Sequence, residues 1–168
     1  PFAAVILDMD GVITRTASVH QTAWKETFDQ LLADRPGHEG EDHAPFTSAD
    51  YRQYVDGKPR LDGVRDFLTS RGITLPEGSS ADGPEADTVW GVGTRKNDRF
   101  RAVLERDGVE TFADTLAAVR RWRRGGLGVA VVSASRNCRH VLGTAGVLDL
   151  FDTIADGQTQ RELGLGGK

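Results

Sequence analysis

Residues Ala3 to Thr14 read Ala-Ala-Val-Ile-Leu-Asp-Met-Asp-Gly-Val-Ile-Thr, a short apolar strand ending in two aspartates one residue apart, with glycine next. Side chains alternate along a strand, so Asp8 and Asp10 are expected on one face where the extended geometry persists. Two carboxylates facing one pocket at the carboxyl end of a buried strand are costly unless a cation or a proton lies between them. That arrangement suits a magnesium site with one carboxylate left as nucleophile. Asp-Gly is also a common turn pair, so a plain polar strand end stays open on these residues alone.

Bulk properties narrow the class. The chain's 168 residues can bury one core with a small appended subdomain. A net charge of −4, from 21 basic and 25 acidic residues, shows no nucleic-acid footprint. No signal-peptide pattern precedes the first strand and no apolar run has the length of a membrane span, so a cytoplasmic protein without a membrane partner is expected. The single cysteine, Cys138, excludes an internal disulfide, fits a reducing compartment and reads as a packing residue.

Along the chain, Ser18 is expected to cap a helix over about 19–33, with Ala23, Trp24, Phe28, Leu31 and Leu32 at helical spacing. Residues 34–47 read as a loop. A short helix near 48–55 precedes the turn Asp56-Gly57-Lys58-Pro59. Further helices are expected over 61–70, stopped at Gly72, and over about 86–106, weakened by Gly91 and Gly93. Residues 112–124 form a helix whose arginines suit its C-terminal end. The apolar run 127–132 predicts a strand buried on both faces. A helix over about 136–145 and a short strand over 151–155 follow.

Val131-Val132-Ser133-Ala134-Ser135-Arg136-Asn137 is the second informative run. A strand leads into small hydroxyl residues and then a helix start, whose free backbone N–H groups, with the hydroxyls of Ser133 and Ser135, form an anion-binding end. Serine caps helices in many settings, so alone this run favours a structural role. Beside Asp8 and Asp10 it gains weight, because ligands of parallel sheets gather outside the carboxyl ends of the strands.

With these residues in view, the chain resembles the haloacid dehalogenase superfamily of phosphotransferases, and within it the β-phosphoglucomutase-like proteins. Asp8-Met9-Asp10-Gly11-Val12 is similar to the family's first motif, Ser133 to its second, and Lys168 in Gly166-Gly167-Lys168 to the third-motif lysine. Thr16-Ala17, His20, Ala23-Trp24-Lys25, Val55-Asp56-Gly57, Arg60 and Arg95-Lys96-Asn97 resemble points of the family's helical cap. The resemblance implies an α/β fold: a Rossmannoid parallel-sheet core, incomplete here, from residues 1–13 and 101–168, with a cap of residues 14–100 inserted after the first strand.

The roles it implies are chemical. Asp8 attacks phosphorus and Asp10 serves as general acid and base. Mg2+ is held by the Asp8 carboxylate and the backbone carbonyl of Asp10. Ser133 and Lys168 hold the transferring phosphoryl oxygens. His20 assists at the sugar hydroxyl or orients Asp10; without the resemblance it reads as an ordinary histidine. Gly57, Arg60, Ser135, Arg136 and Asn137 belong to the substrate site, the last four at the second phosphate. Trp24 reads first as cap core, although the family places it near the pocket.

The implied reaction interconverts β-glucose 1-phosphate and glucose 6-phosphate through a bisphosphate. A phosphatase acting on a small phosphate ester and an inactive phosphosugar-binding or assembly fragment are the alternatives. Arg15 replaces the family's usual aspartate at the entry to the cap, and Asp56 stands where some mutases carry lysine. The family also continues past the position of Lys168 into an acidic fourth motif. A missing C-terminal segment or a partner chain completing the core is therefore expected.

Overall fold

The computed structural model describes residues 2–164. Two compact units divide them: one runs up to Val19 and from Leu104 onward, the other spans His20–Val103. The chain passes between the units inside two long helices, α1 (Thr16–Asp34) and α4 (Val89–Asp107). The divisions thus fall a few residues beyond those expected from sequence, because neither helix breaks there.

The first unit holds a three-stranded parallel sheet in the order β1 (Ala4–Asp8), β2 (Gly128–Val132), β3 (Thr153–Ala155). Asp8 lies opposite Val132, and Val132 opposite Ala155, so the three carboxyl ends form one row. Val129 and Val131 are fully buried, while Gly128, Ala130 and Val132 are only half-buried. The expectation of a strand buried on both faces is corrected accordingly: the apolar run alternates in burial, with its bulky valines at 129 and 131 inward. Ile6 on β1 is 68% exposed.

Helix α5 (Ala113–Arg124) packs against β2 and buries Leu116 and Val119. Asp114 in its first turn and Arg121, Arg123 and Arg124 in its last suit the helix dipole. Helix α6 (Cys138–Thr144) starts later than expected because the serines before it form hydroxyl-closed turns. After a 3-10 turn at Leu148–Leu150 and β3, the short helix α7 (Gly157–Glu162) is capped by Asp156, whose carboxylate accepts from the N–H groups of Gln158 and Thr159.

In the second unit the core joins Trp24, Phe28, Leu31 and Leu32 of α1 to Val64, Phe67 and Leu68 of α3 (Arg60–Ser70), with Phe46, Val89 and Val92. The i, i+4 and i+7 spacing on α1 produces this apolar stripe. Phe28 sits at its centre, with ring centroids 3.9 Å from Phe67 and 5.0 Å from Trp24. Helix α1 begins at Thr16, and Ser18 is not its cap: its hydroxyl donates back to the Arg15 carbonyl at 3.2 Å. The expected helix over 48–55 is a capped turn, α2 (Ser48–Asp50), running into a π-helical turn at Tyr51–Val55. Thr47 and Asp50 form a capping box there. Among the described residues, no helix is long and apolar enough to cross a membrane.

The loop after α1 is clamped at Glu41. Arg35 forks onto its carboxylate, with Nη2 3.0 Å from Oε1 and Nε 3.2 Å from Oε2. His43 lies between two acceptors, with Nε2 2.9 Å from Glu41 and Nδ1 2.9 Å from the Leu32 carbonyl. An imidazole donates from both nitrogens only when protonated, so Glu41 and then the Leu32 carbonyl raise the His43 pKa above its ordinary 6.5. Hydrogen bonds from Arg35 and His43 hold Glu41 down at about 2.

Two outcomes follow. Phe28→Ala should cost about 3–5 kcal/mol by emptying the aromatic centre, read by urea unfolding through tryptophan fluorescence. His43 binds its proton more tightly folded than unfolded, so its contribution is whole below pH 6.5 and disappears as pH rises through the raised folded pKa. Glu41 contributes above pH 4.5 and loses that contribution as pH falls toward about 2. Urea midpoints should decline as pH rises above 6.5, and His43→Gln should remove that decline.

Candidate active site

The Asp-x-Asp run leaves β1 and folds back at once. The Met9 carbonyl accepts from Ile13 N–H at 2.9 Å and Thr14 N–H at 3.1 Å, and Gly11 N–H donates to the Thr14 carbonyl at 2.9 Å. Gly11 takes φ +75°, the left-handed conformation this turn requires. Met9 is buried, while Asp8 is half-buried and Asp10 exposed, so the alternation keeps both carboxylates off the core. Asp8 Oδ1 accepts from Met9 N–H at 2.8 Å. The buried Thr16 hydroxyl donates to Asp10 Oδ1 through a short hydrogen bond.

Segment 13–15 is sewn to 110–112 by Arg15 N–H to the Glu110 carbonyl at 2.8 Å and Phe112 N–H to the Ile13 carbonyl at 3.0 Å. The Arg15 guanidinium lies 4.1 Å from the centre of the Phe112 ring, and its Nε is 3.9 Å from Glu110. The residue that departs from the family pattern thus has local partners of its own.

Ser133 follows β2 directly. The register places it beside the end of β1, one strand spacing of roughly 4.8 Å away. Its N–H donates to the Ala155 carbonyl at 3.0 Å, and its hydroxyl accepts from Ser135 N–H at 3.1 Å. The Ser135 hydroxyl in turn accepts from Asn137 N–H at 3.1 Å. The amides at 135 and 137 are therefore taken up by serine hydroxyls, which corrects the expectation of free N–H groups at this turn. Arg136 is exposed and Ser135 and Asn137 are half-buried.

The structure thus brings Asp8, Asp10, Ser133, Ser135, Arg136 and Asn137 together in one unit, around the row of strand ends. Lys168 lies outside the described residues. Asp156, at the end of β3, was not singled out from sequence, although Ile154-Ala155-Asp156-Gly157 repeats the apolar-strand-then-Asp-Gly signal of β1. It is buried, and its Oδ2 lies 3.4 Å from Arg139 Nε. Burial works to raise its pKa, but hydrogen bonds from Thr159 and Gln158 and the Arg139 charge hold it below the ordinary value. Cys138 is buried and its thiol is pushed up to about 12 by burial, then by the charges of Asp156 and Asp10, which fits packing.

His20, Trp24, Gly57 and Arg60 belong to the second unit. Lys96 Nζ lies 2.7 Å from His20 Nδ1, 4.9 Å from the Trp24 ring centre and 5.1 Å from that of Phe100. The His20 ring stacks on Phe100 at 4.4 Å. Burial, then the Lys96 charge, pushes the His20 pKa down to about 3, so the imidazole is neutral at physiological pH. The ammonium donates to Nδ1, which places the ring proton on Nε2. Lys96, a buried cation, had no role assigned from sequence.

Trp24 lies in the core of the second unit, stacked on Phe28. Arg60 is half-buried with Nε inaccessible, and it packs at Gly93, where a Cβ would stand 3.5 Å from that nitrogen. A solvated charge does not describe it. Gly57 lies in the exposed turn before Pro59.

Asp8 and Asp10 offer hard carboxylate oxygens, and Mg2+ is commonly bound by one or two carboxylates with waters and phosphate completing its shell. The donor set fits that ion. Among the described residues, no cluster of three or more His, Cys, Asp or Glu side chains is arranged as a metal cage.

The family model of haloacid dehalogenase-like hydrolases matches residues 2–165. A β-phosphoglucomutase of Mycobacterium bovis is 48% identical over 166 residues, covering 98% of this chain and 63% of its own length. The chain therefore spans less than two thirds of that relative. An uncharacterized glycosyl hydrolase of Mycobacterium tuberculosis is 40% identical over 162 residues, which are 96% of this chain and 12% of that protein. The crystal structure of a β-phosphoglucomutase from Clostridium difficile shares the fold at TM-score 0.68 and 19% identity, covering 98% of this chain and 72% of that one. The strand-end carboxylates, the serine beside them and the match along nearly the whole chain lead to one conclusion: this chain belongs to the haloacid dehalogenase-like hydrolase family.

Proposed function

We propose that this chain carries the phosphoryl-transfer centre of a β-phosphoglucomutase acting on β-glucose 1-phosphate. The observation that carries the reading is the row of parallel strand ends. It pairs Asp8 with Val132, the residue before Ser133, in a chain 48% identical to a protein of that name.

Enzymes of this family generally use Mg2+. Asp8 and the Asp10 backbone carbonyl would hold it, and when bound it offsets negative charge on the transferring phosphoryl group. The Asp8 carboxylate attacks phosphorus, forming an acyl phosphate as the P–O bond to the sugar breaks. Asp10 gives its proton to the departing sugar oxygen. In the reverse sense, Asp10 takes the proton of the 6-hydroxyl of an incoming β-glucose 1-phosphate, which keeps its own 1-phosphate, as that oxygen attacks the phosphorylated Asp8 and the acyl P–O bond breaks. Glucose 1,6-bisphosphate results, and its 1-phosphoryl group then returns to Asp8, leaving glucose 6-phosphate.

Thr16 holds Asp10 through its hydroxyl, which fixes the carboxyl orientation for proton transfer. Ser133 and Lys168 bind phosphoryl oxygens, while Ser135, Arg136 and Asn137 bind the second phosphate. His20, neutral and protonated on Nε2, donates to a sugar hydroxyl.

A phosphatase would use the same Asp8 chemistry with water as final acceptor. The Ser135-Arg136-Asn137 group favours the mutase, because a mutase must bind a bisphosphate in two orientations. A coupled assay for glucose 6-phosphate, run beside an assay for free phosphate with Mg2+ present, separates the readings. Glucose 6-phosphate should dominate from β-glucose 1-phosphate primed with the bisphosphate. Free phosphate dominating with every hexose 1-phosphate overturns the mutase, and absence of any turnover favours a phosphosugar-binding fragment. Asp8→Asn should abolish turnover. Thr16→Val should lower kcat by about 10- to 100-fold, a part of the roughly 100- to 10,000-fold that general acid–base catalysis supplies, with KM little changed.

A further inference from the structure

The strand-end row has a third member. After β3 the chain makes Asp156 and Gly157, and the residues on either side of Asp156, Ala155 and Gly157, receive the loop 133–137 backbone against backbone. Ser133 N–H donates to the Ala155 carbonyl at 3.0 Å, and Gly157 N–H donates to the Ser135 carbonyl at 3.2 Å. Between those bonds the loop has no room to spare at Gly157. A Cβ there would fall less than 3.0 Å from the Ala134 carbonyl oxygen, 3.0 Å from Arg136 Cγ and 3.1 Å from Arg136 N. The nearest of these atoms is backbone and cannot be turned aside as a side-chain tip can.

Gly157 is itself tied down. It opens α7, and the Asp156 carboxylate before it caps that helix through Gln158 N–H at 3.0 Å and Thr159 N–H at 2.9 Å. Arg139 fastens the same corner, donating from Nη2 to the Ile154 carbonyl at 3.0 Å and approaching Asp156 with Nε at 3.4 Å. A Cβ at Gly157 therefore bears directly on the loop 133–137, through the Ala134 carbonyl and Arg136 that it would meet.

We propose that Gly157 is a positioning residue for the phosphate-binding loop: its missing side chain lets residues 134–136 seat on the end of β3 and so sets where Ser133, Ser135 and Arg136 meet a phosphoryl group. The inference rests on the reading of those residues as phosphate ligands. Gly157 touches no substrate and acts through the loop. Its need for glycine is one of space, since no positive φ is recorded there.

The test is titration with inorganic phosphate in the presence of Mg2+, following the amide NMR signals of residues 133–137 in wild type, Gly157→Ala and Gly143→Ala. Gly143 lies in α6, and a Cβ there would meet nothing within 4 Å. Gly157→Ala should weaken phosphate binding at least fivefold, while Gly143→Ala leaves it unchanged. A purely structural glycine would lower the melting temperature of Gly157→Ala and leave the phosphate affinity alone, which overturns the proposal. If the alanine variant does not fold, the wild-type Gly157 amide decides. Its hydrogen exchange should slow on phosphate binding together with those of Ser135 and Asn137, and an unresponsive Gly157 amide overturns the proposal. Wild-type amides at 133–137 that ignore phosphate would sink both the proposal and the ligand reading beneath it, so the two failures are told apart.

Discussion

The parallel pairing of β1 with β2, Asp8 opposite Val132, is the constraint on which the candidate site depends. A slip of one residue would turn Asp8 and Asp10 toward the core and Met9 outward, because side chains alternate with period two. The burial of Met9 between the two aspartates opposes that slip, as do Val129 and Val131 inside β2. With the register held, each strand end delivers its next residue to the same edge: the Asp8–Asp10 turn, Ser133, and Asp156 with Gly157. Polar groups at that edge escape the desolvation that would forbid them one or two residues earlier in the strands.

The two units prepare their groups in different ways. Around β1, hydrogen bonds orient acceptors: Met9 N–H on Asp8, the Thr16 hydroxyl on Asp10. In the second unit, burial and a neighbouring ammonium strip the charge from His20 and select its tautomer. Lys96 keeps company with a neutral nitrogen and the faces of Trp24 and Phe100, an environment that accepts a cation through ring quadrupoles and one lone pair.

Much of the element order was legible from periodicity. The helical stripe Ala23-Trp24-Phe28-Leu31-Leu32 and the Ser70/Gly72 stop read correctly because both are local signals. Ser18 misled because a serine near a helix start can bond backward to a carbonyl as readily as forward to an N–H. The start of α6 was misplaced for a related reason: two successive serines close turns of their own and delay the helix to Cys138. The β2 run looked buried on both faces because sequence shows which residues are apolar, whereas the coverage of each face is set by what packs there.

At the site, sequence by itself determined the chemistry on offer. It named an Asp-x-Asp-Gly strand end, a strand running into serines, and an insert bearing His20 and Arg60, since residue type dictates which atoms can accept, donate or attack. Tertiary structure decided which of those atoms are neighbours and in what state. It chose Asp156 and Gly157 as the support of the serine loop, gave Thr16 to Asp10, and made His20 a neutral donor beside a buried lysine. These are properties of distance and dielectric between residues 6 positions apart in the case of Thr16 and Asp10 and 76 in that of Lys96 and His20, and such contacts exist only once the backbone has closed.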